Sequence, residues 1–253
     1  MNAQPTLPSD LEAGLRRLRL GTIRRAAPEV LLTAKTQRWA PEETLRVLVD
    51  LEIAARDESN TRTRMTAARF PVEKTLDEFN LDESSIPKAT HDYLVTLDWI
   101  GRADNLCLVG PAGTGKTHYL IALGRAAVEA GHRVRYHTAI DLVETLWRAV
   151  ADNTVGKTIE QVCRNNLIVI DEIGFAPLDH TGCQLLFRLV SAAYEKRSLA
   201  IASHSPFENW GRFLPDQPTA VSLLDRLCHH AHIITTTGDS YRLTHRTTGG
   251  GHT

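Results

Sequence analysis

The sequence predicts an α/β protein with a parallel β-sheet flanked by helices, preceded by a small helical N-terminal domain. Two observations predict the α/β part: short apolar stretches alternate with longer helical patterns after about residue 75, and a glycine-rich loop joins the first strand to its helix. A third observation is the helical spacing of apolar residues before residue 70. We place the boundary near Phe70–Thr75, so that residues 1–70 form the helical domain and residues 71–246 the α/β domain.

Three helices are expected in the N-terminal domain. Apolar residues recur at helical spacing over residues 11–23, and Pro28 and Trp39 bracket a second helix. Pro41 begins a third, because proline suits the first turn and the two glutamates after it suit the positive end of the helix dipole. We expect this helix to run to about Arg56 and to bury four apolar residues, Leu45, Leu48, Val49 and Ile53.

The α/β domain is expected to alternate strand and helix. The predicted strands cover residues 106–109, 133–137, 167–170, 199–203 and 232–236. The predicted helices cover residues 118–130, 181–195 and 219–231, and one more begins at Thr138. That helix opens with a sequence that resembles a capping box, and its apolar residues on one side are Ile140, Val143, Trp147 and Val150. The glycine-rich tail, residues 247–253, is expected to be disordered.

Composition and charge narrow the class of protein. With 42% hydrophobic and 23% charged residues, the 253-residue chain has the composition of a globular protein with a sizeable core. We find no apolar run as long as a membrane span, no secretory signal, and four cysteines without metal or redox spacing, which together indicate a cytoplasmic protein with reduced thiols. The net charge is −1, but residues 1–74 carry 13 Lys+Arg against 10 Asp+Glu, a modest basic excess.

The segment Gly110–Thr117 matches the phosphate-binding loop pattern and lies between a predicted strand and a predicted helix, as this loop requires. Glycines let the loop curl so that its backbone N–H groups point at phosphate oxygens. Lys116 adds a positive charge at the β- and γ-phosphates, and the hydroxyl of Thr117 can ligate Mg²⁺. The predicted nucleotide site comprises Gly110, Pro111, Ala112, Gly113, Thr114, Gly115, Lys116, Thr117 and the adjacent His118, with Arg242 as a more distant candidate.

An acidic pair completes the predicted catalytic site. The apolar stretch 167–170 ends in Asp171 and Glu172, so a buried strand would deliver two carboxylates to the carboxyl edge of the sheet. Asp171 would hold Mg²⁺ and Glu172 would orient or deprotonate the attacking water, which favours hydrolysis over transfer to a bound hydroxyl. The alternative is a surface acidic pair that merely closes a strand.

Two further side chains are candidates for the chemistry. His204 ends a predicted strand, where a neutral imidazole can contact both the γ-phosphate and the lytic water; the alternative is a solvated loop histidine. Arg226 lies near the end of the helix before the last strand, where it would act as an arginine finger on a neighbouring subunit's γ-phosphate. The alternative is a local pair with Asp225. Arg242 is a second candidate finger, with an ordinary surface arginine as its alternative.

A histidine cluster and two tryptophans are not assigned to a functional site. His229, His230 and His232 cluster in the sequence, but no carboxylate or cysteine lies at ligand spacing, so a metal site is not predicted there. Trp147 and Trp210 are expected to anchor a core or an interface.

The chain resembles the IstB family of AAA+ transposition helper ATPases, which are related to DnaC helicase loaders. The resemblance spans roughly residues 11–243. The segments that carry it are residues 68–71, 74–79, 110–118, 167–174, 225–230 and 238–242. The combination is specific, because the phosphate loop alone fits many NTPases, whereas Phe70-Pro71 and the Asp-Arg-Leu-Cys-His-His segment at 225–230 do not.

The resemblance implies an AAA+ core without a large C-terminal lid, ATP as the nucleotide and Mg²⁺ as the cofactor. It also implies ATP-dependent homo-oligomers on duplex DNA, contact with a partner transposase, and hydrolysis that drives disassembly. Contacts with DNA would be made to phosphates, with little sequence preference. The candidate contacts are Arg16, Arg17, Arg24, Arg25, Arg62, Arg64 and Arg69, with a solvated helix surface as the alternative.

One departure from the family pattern bears on the reaction. The family usually has Asn where this chain has His204, so nucleotide binding and assembly are expected to survive and hydrolysis to be slow. Three other readings remain open: a replicative helicase loader, a nucleotide-gated adaptor that does not hydrolyse ATP, and a small-molecule phosphotransferase.

Overall fold

The computed structural model describes residues 6–238, 240 and 241 of the chain. The chain forms two compact units, which divide between Thr63 and Arg64. This division falls inside a helix and before the boundary placed near residue 70, because Met65 and Ala68 at the helix end belong to the hydrophobic core of the second unit. The tail, residues 247–253, lies outside the described residues.

The first unit consists of helices α1 (Ser9–Arg17), α2 (Gly21–Gln37) and most of α3 (Pro41–Ala68). The predicted start of α3 at Pro41 is confirmed. Pro28, predicted at a helix start, lies inside α2, where the helix forgoes one backbone hydrogen bond. The predicted end of α3 near Arg56 is wrong, because no glycine or proline interrupts the sequence before Pro71 and the helix continues.

The apolar residues of α3 are more exposed than the helical pattern predicted. Leu45, Val49 and Ile53 all stand on the surface, so their predicted burial is wrong, and Leu48 is only half-buried. A periodic apolar pattern identifies the helix but does not establish that another element covers the apolar face.

A buried carboxylate joins two helices of the first unit. Glu52, on α3, accepts hydrogen bonds from the backbone N–H groups of Thr22 (2.8 Å) and Ile23 (3.0 Å) in the first turn of α2. It also accepts one from Nε of Arg56 at 3.0 Å. Because the first N–H groups of a helix have no partner within the helix, Glu52 caps α2 from outside. The hydrogen bond from Ile23, followed by those from Arg56 and Thr22, lowers the pKa of Glu52 against the opposing effect of its burial.

We expect Glu52→Gln to loosen the start of α2 and to reduce the acid sensitivity of this unit. A carboxyl whose pKa is lower in the folded state stabilises the fold above its unfolded pKa, and this stabilisation is lost as the pH falls through the folded pKa. Hydrogen exchange of the α2 amides, measured by mass spectrometry at pH 7 and at pH 4, should show the wild-type protection falling with pH and the variant protection changing less. Glu43→Gln, at an exposed position of α3, is the control. Parallel pH profiles for Glu52→Gln and the wild type would contradict this role.

The second unit is built on a five-stranded parallel sheet in the order β2-β3-β4-β1-β5. The strands are β1 (Asn105–Val109), β2 (Val134–Thr138), β3 (Leu167–Ile173), β4 (Ser198–Ser203) and β5 (Ala231–Thr235). All five predicted strands are confirmed. The three central strands, β3, β4 and β1, are buried on both faces, as is usual in a parallel sheet, whereas the edge strands β2 and β5 are partly exposed.

Helices cover this sheet on both faces. Those predicted from sequence are confirmed as α6 (Lys116–Glu129), α7 (Ala139–Ala151), α9 (His180–Ala193) and α10 (Gln217–Cys228). Those that the sequence analysis missed are α4 (Lys88–Val95), α5 (Asp98–Gly101), α8 (Val155–Val162) and a 3-10 helix (Phe207–Arg212). The hydroxyl of Thr138 accepts a hydrogen bond from the N–H of Asp141 at 3.1 Å, so the predicted cap of α7 is confirmed.

Alternate residues of the strands enter two cores. Leu106 and Leu108 of β1 pack on one face of the sheet with residues of α6, whereas Cys107 and Val109 pack on the other with residues of α7 to α10. Trp210 is fully buried in the latter core, as expected of an anchor. The four apolar residues predicted to share one side of α7 do not share one environment. Val143 is buried, whereas the exposed residues are Ile140, Trp147 and Val150.

The topology brings the motifs to one edge of the sheet. Strands β3, β4 and β1 are neighbours and parallel, so their carboxyl ends lie side by side. Those ends carry the acidic pair, Ser203-His204 and the phosphate loop, respectively. Within the described part of the chain no helical domain follows β5. Among the same residues, no helix combines the length and apolar character that a membrane span needs.

Candidate functional site

The phosphate loop closes tightly against the segment that follows β5. A Cβ atom on Gly110 would lie 2.0 Å from the carbonyl oxygen of Thr236, which excludes any other residue there. Gly113 has a φ of +87°, and a Cβ there would lie 2.1 Å from Oγ of Ser240. Both glycines are therefore required by close backbone approach, and Gly113 also by its left-handed conformation.

Lys116 is held inside the loop that it follows. Its Nζ donates hydrogen bonds to the carbonyl oxygens of Gly110 (2.7 Å) and Pro111 (2.6 Å). Burial lowers the pKa of Lys116, and the nearby carboxylate of Asp171 opposes that shift. The ammonium group thus lies between the phosphate loop and the acidic end of β3. A phosphate group bound between the loop and Asp171 would contact it.

Asp171 is fixed by two hydrogen bonds. It is 2% exposed; its Oδ1 accepts from the backbone N–H of Glu172 at 2.8 Å and its Oδ2 from the hydroxyl of Tyr136 at 2.9 Å. Burial and the charge of Asp171 both raise the pKa of Tyr136, so this phenol stays protonated and remains a donor. Tyr136 was not among the predicted site residues, because nothing in the sequence reveals that β2 pairs with β3.

Glu172 has an unusual backbone conformation. Its φ is +60°, and the pairing of β3 with β4 shifts register between Ile170 and Ile173. A non-glycine residue in the left-handed region carries strain, and such strain is concentrated at functional sites. The distortion leaves Glu172 exposed beside the buried Asp171, and both line the same cavity.

This cavity has a volume of about 790 Å³ and collects most of the predicted site. Its wall includes Ala112, Gly113, Thr114, Gly115, Lys116, Thr117, His118, Asp171, Glu172 and His204. His204 is exposed and lies beside Phe175, with ring centroids 6.5 Å apart. The volume falls in the range of pockets for small organic ligands.

A segment before α4 supplies wall residues that the sequence analysis had not assigned to the site. These are Val72, Lys74, Glu78, Phe79, Asn80, Glu83, Ser84 and Ser85. Phe79 contacts His118 and Tyr119, with ring centroids 5.3 and 4.9 Å away, and Nε2 of His118 lies 3.2 Å from the carbonyl oxygen of Thr75. The signal available in the sequence was the 74–79 stretch itself, which carries part of the family resemblance.

The donor set fits a nucleoside triphosphate with Mg²⁺. The phosphate loop packs so closely against the segment after β5 that side chains are excluded at Gly110 and Gly113, and Lys116 supplies the positive charge. The Thr117 hydroxyl and the Asp171 carboxylate are oxygen ligands of the kind that Mg²⁺ prefers, and both line the cavity. The same wall therefore offers a cradle for phosphates and a place for the metal ion.

Arg226 lies away from this cavity. It is on the last turns of α10, and β5 then begins at Ala231, which pairs with Asn105 at the start of β1. Arg226 is thus at the amino edge of the sheet, opposite the phosphate loop. Its Nη1 donates to the carbonyl of Ser222 at 3.1 Å and its guanidinium lies 4.9 Å from the Phe187 ring centroid. The alternative pair with Asp225 is not among the ion pairs of the described residues, and Arg242 lies outside those residues.

The predicted DNA-contacting arginines are mostly exposed. Two exceptions are half-buried, Arg24 and Arg64. Glu12 contacts Arg16 at 3.2 Å and Arg24 at 3.3 Å, and Arg62 pairs with Glu58, so part of their positive charge is offset. These contacts leave DNA binding by the arginines a prediction.

Relatives of known sequence agree with the chemistry of the cavity. The family described as IstB-like ATP-binding protein matches residues 13–249. A protein named as an ATP-binding protein of insertion sequence IS21 in Pseudomonas aeruginosa is 33% identical over 242 residues, covering 95% of this chain and 91% of the relative. The corresponding protein of insertion sequence IS5376 in Geobacillus stearothermophilus is 32% identical over 211 residues, 83% of this chain and 84% of the relative.

Solved structures agree with the fold. DnaI aligns with a TM-score of 0.55 at 14% identity, over 65% of this chain and 92% of DnaI. AMPPCP-bound DnaA from Aquifex aeolicus aligns with a TM-score of 0.54 at 20% identity, over 68% of this chain and 52% of that one. At these identities the likeness shows the fold alone, which is that of the AAA+ P-loop NTPases.

Proposed function

This chain belongs to the family of IstB-like ATP-binding proteins, and on that premise we propose that it is an ATP-hydrolysing helper of DNA transposition. In its ATP state it assembles into homo-oligomers on duplex DNA and recruits or stimulates a partner transposase, and hydrolysis drives disassembly. The observation that carries the proposal is the convergence of Lys116, Asp171 and Glu172 on one cavity beside the phosphate loop.

The polar residues of the phosphate loop and of the acidic pair divide the tasks of ATP hydrolysis among them. The loop N–H groups and Lys116 bind the phosphates, after Lys116 exchanges its loop carbonyl partners for phosphate oxygens. Thr117 and Asp171 would hold Mg²⁺, which would offset the phosphate charge, and Tyr136 keeps the Asp171 carboxylate oriented. Glu172 accepts the proton of the attacking water.

His204 determines how fast ATP is hydrolysed in this proposal. A neutral imidazole offers one donor and one acceptor, whereas an Asn side chain offers two N–H donors and a carbonyl on a shorter stem. Its exposed position at the cavity wall allows contact with the γ-phosphate, but its geometry differs from that of the family's usual residue. Slow turnover follows from this substitution.

Arg226 supports the proposed assembly. It lies at the edge of the sheet opposite its own cavity and has no carboxylate partner among the described residues, so a nucleotide in contact with it would have to be that of a second copy. Stabilisation of the transition state by Arg226 then requires that two subunits meet, which couples hydrolysis to oligomer formation.

DNA binding and the transposase partner follow from the family. The relatives are named after insertion sequences, which move by transposition, and the arginines of α1 to α3 offer sites for phosphate contact. Because such contacts release counterions, affinity for duplex DNA should fall steeply with salt and depend little on sequence.

Electron microscopy of the purified protein with duplex DNA, with and without ATP, tests this function. Regular assemblies are expected only with ATP. Lys116→Ala should abolish them and weaken ATP binding about 10- to 100-fold, since a charged hydrogen bond contributes roughly 1.5–3 kcal/mol. The control Lys157→Ala removes an exposed lysine of α8 and should behave as the wild type.

Other outcomes would contradict the proposal. Assembly of the wild type without ATP, or of Lys116→Ala with ATP, would show that assembly does not require bound nucleotide. Preference for single strands, together with binding to a hexameric helicase, would instead support the helicase-loader alternative. A partner transposase added to the ATP-bound assemblies should be retained on them.

A further inference from the structure

Tertiary structure brings a carboxylate to two histidines that the sequence left without one. His229 and His230 lie between α10 and β5, and Glu195 lies in the turn between α9 and β4. One nitrogen or oxygen atom from each of the three side chains lies within 4.8 Å of the other two. All three residues are exposed and accessible to ions in solution.

These three side chains are already close to one another in the structure. Nε2 of His230 is 3.8 Å from Oε1 of Glu195, and the two imidazole rings meet edge to face with centroids 4.2 Å apart. The Tyr194 hydroxyl lies 3.0 Å from Nδ1 of His229 and restricts that ring. Ligand atoms around tetrahedral Zn²⁺ are about 3.3 Å apart, since the bonds are about 2.0–2.1 Å, so small side-chain rotations would close the site.

We propose that Glu195, His229 and His230 form a binding site for a late first-row divalent metal ion, Zn²⁺ foremost. Two imidazoles and a carboxylate are a ligand set that Zn²⁺ accepts in three-residue sites, with water as the fourth ligand. Imidazole ligands favour Zn²⁺ over Mg²⁺, which prefers oxygen.

This site is separate from the nucleotide site in place as well as in chemistry. It lies at the amino edge of the sheet, where β4 and β5 begin, while the phosphate loop and Asp171 lie at the carboxyl edge. Backbone conformation contributes to it, because Glu195 has a φ of +56° and this turn presents its side chain beside Tyr194 and the two histidines. Metal binding here requires no nucleotide, so it can be tested separately from the proposed function.

Titration of the full-length, chelator-treated protein with Co²⁺, a spectroscopic substitute for Zn²⁺, tests the site without nucleotide. Visible absorption should report one tetrahedral Co²⁺ per chain, which Zn²⁺ displaces and Mg²⁺ does not. Glu195→Gln, His229→Asn and His230→Asn should each weaken binding at least about tenfold. His180→Asn is the matched control, since His180 is also exposed and lies 3.9 Å from a carboxylate, that of Asp216.

Two controls keep the result interpretable. Circular dichroism and retained ATP binding establish that each variant is folded, so that lost Co²⁺ binding is not lost structure. Cys228→Ser removes the neighbouring thiol and should leave the absorption unchanged. Co²⁺ binding that persists in Glu195→Gln and His230→Asn, that disappears in Cys228→Ser, or that is absent from the wild type would overturn the proposal.

Discussion

Replacing Arg226 with alanine is expected to reduce the ATPase rate of assembled protein by about a thousandfold while leaving ATP binding unchanged. An arginine finger contributes about 10³–10⁵ to the rate, because it stabilises charge that develops only in the transition state. Binding should survive since Arg226 lies at the edge of the sheet opposite its own phosphate loop. ATPase assays on duplex DNA, together with nucleotide titrations of the same preparation, measure both effects.

Mixing subunits tests whether Arg226 acts on a neighbouring copy. Arg226→Ala subunits keep an intact cavity, and Glu172→Gln subunits keep an intact Arg226, so mixed assemblies should recover part of the activity that each variant lacks. Arg148→Ala, on the exposed side of α7, is the control for loss of a surface guanidinium, one that pairs with Glu144. If no mixing ratio restored hydrolysis, the action of Arg226 on a neighbour would be refuted.

Glu172→Gln is expected to slow hydrolysis by about 10²–10⁴-fold, the usual contribution of a positioned general base. The amide has the same size but cannot accept the proton of water, and Asp171, Lys116 and the loop are left in place. ATP should therefore bind normally. Complexes with DNA should become long-lived, because hydrolysis no longer drives their disassembly. Single-turnover phosphate release and the lifetime of DNA complexes are the measurements.

The control for this variant is Glu160→Gln, which neutralises an exposed glutamate of α8 away from the cavity. Glutamine must also adopt the left-handed backbone of Glu172, so thermal unfolding should be compared between the two variants and the wild type. Turnover at the wild-type rate in folded Glu172→Gln would remove this residue from the mechanism.

The sequence is most informative where local chemistry determines structure. The loop Gly110–Thr117 and the acids after 167–170 could be read directly, because close phosphate contact permits few residues and a buried strand that ends in carboxylates is rare. The five strands followed from short apolar runs that alternate with helical patterns. Apolar periodicity was less informative on α3 and α7, since it does not reveal whether another element will cover a given apolar residue.

By itself, then, the sequence determined the α/β class, the phosphate loop and the acidic pair, because these depend on residue types at short separation along the chain. Tertiary structure decided which distant side chains meet. The hydroxyl of Tyr136 reaches Asp171 because β2 pairs with β3, and Glu195 reaches His230 because α9 and α10 both end at the amino edge of the sheet. Such contacts depend on the strand order and on the turns between elements, and the spacing of residues within one motif predicts neither the order nor the turns.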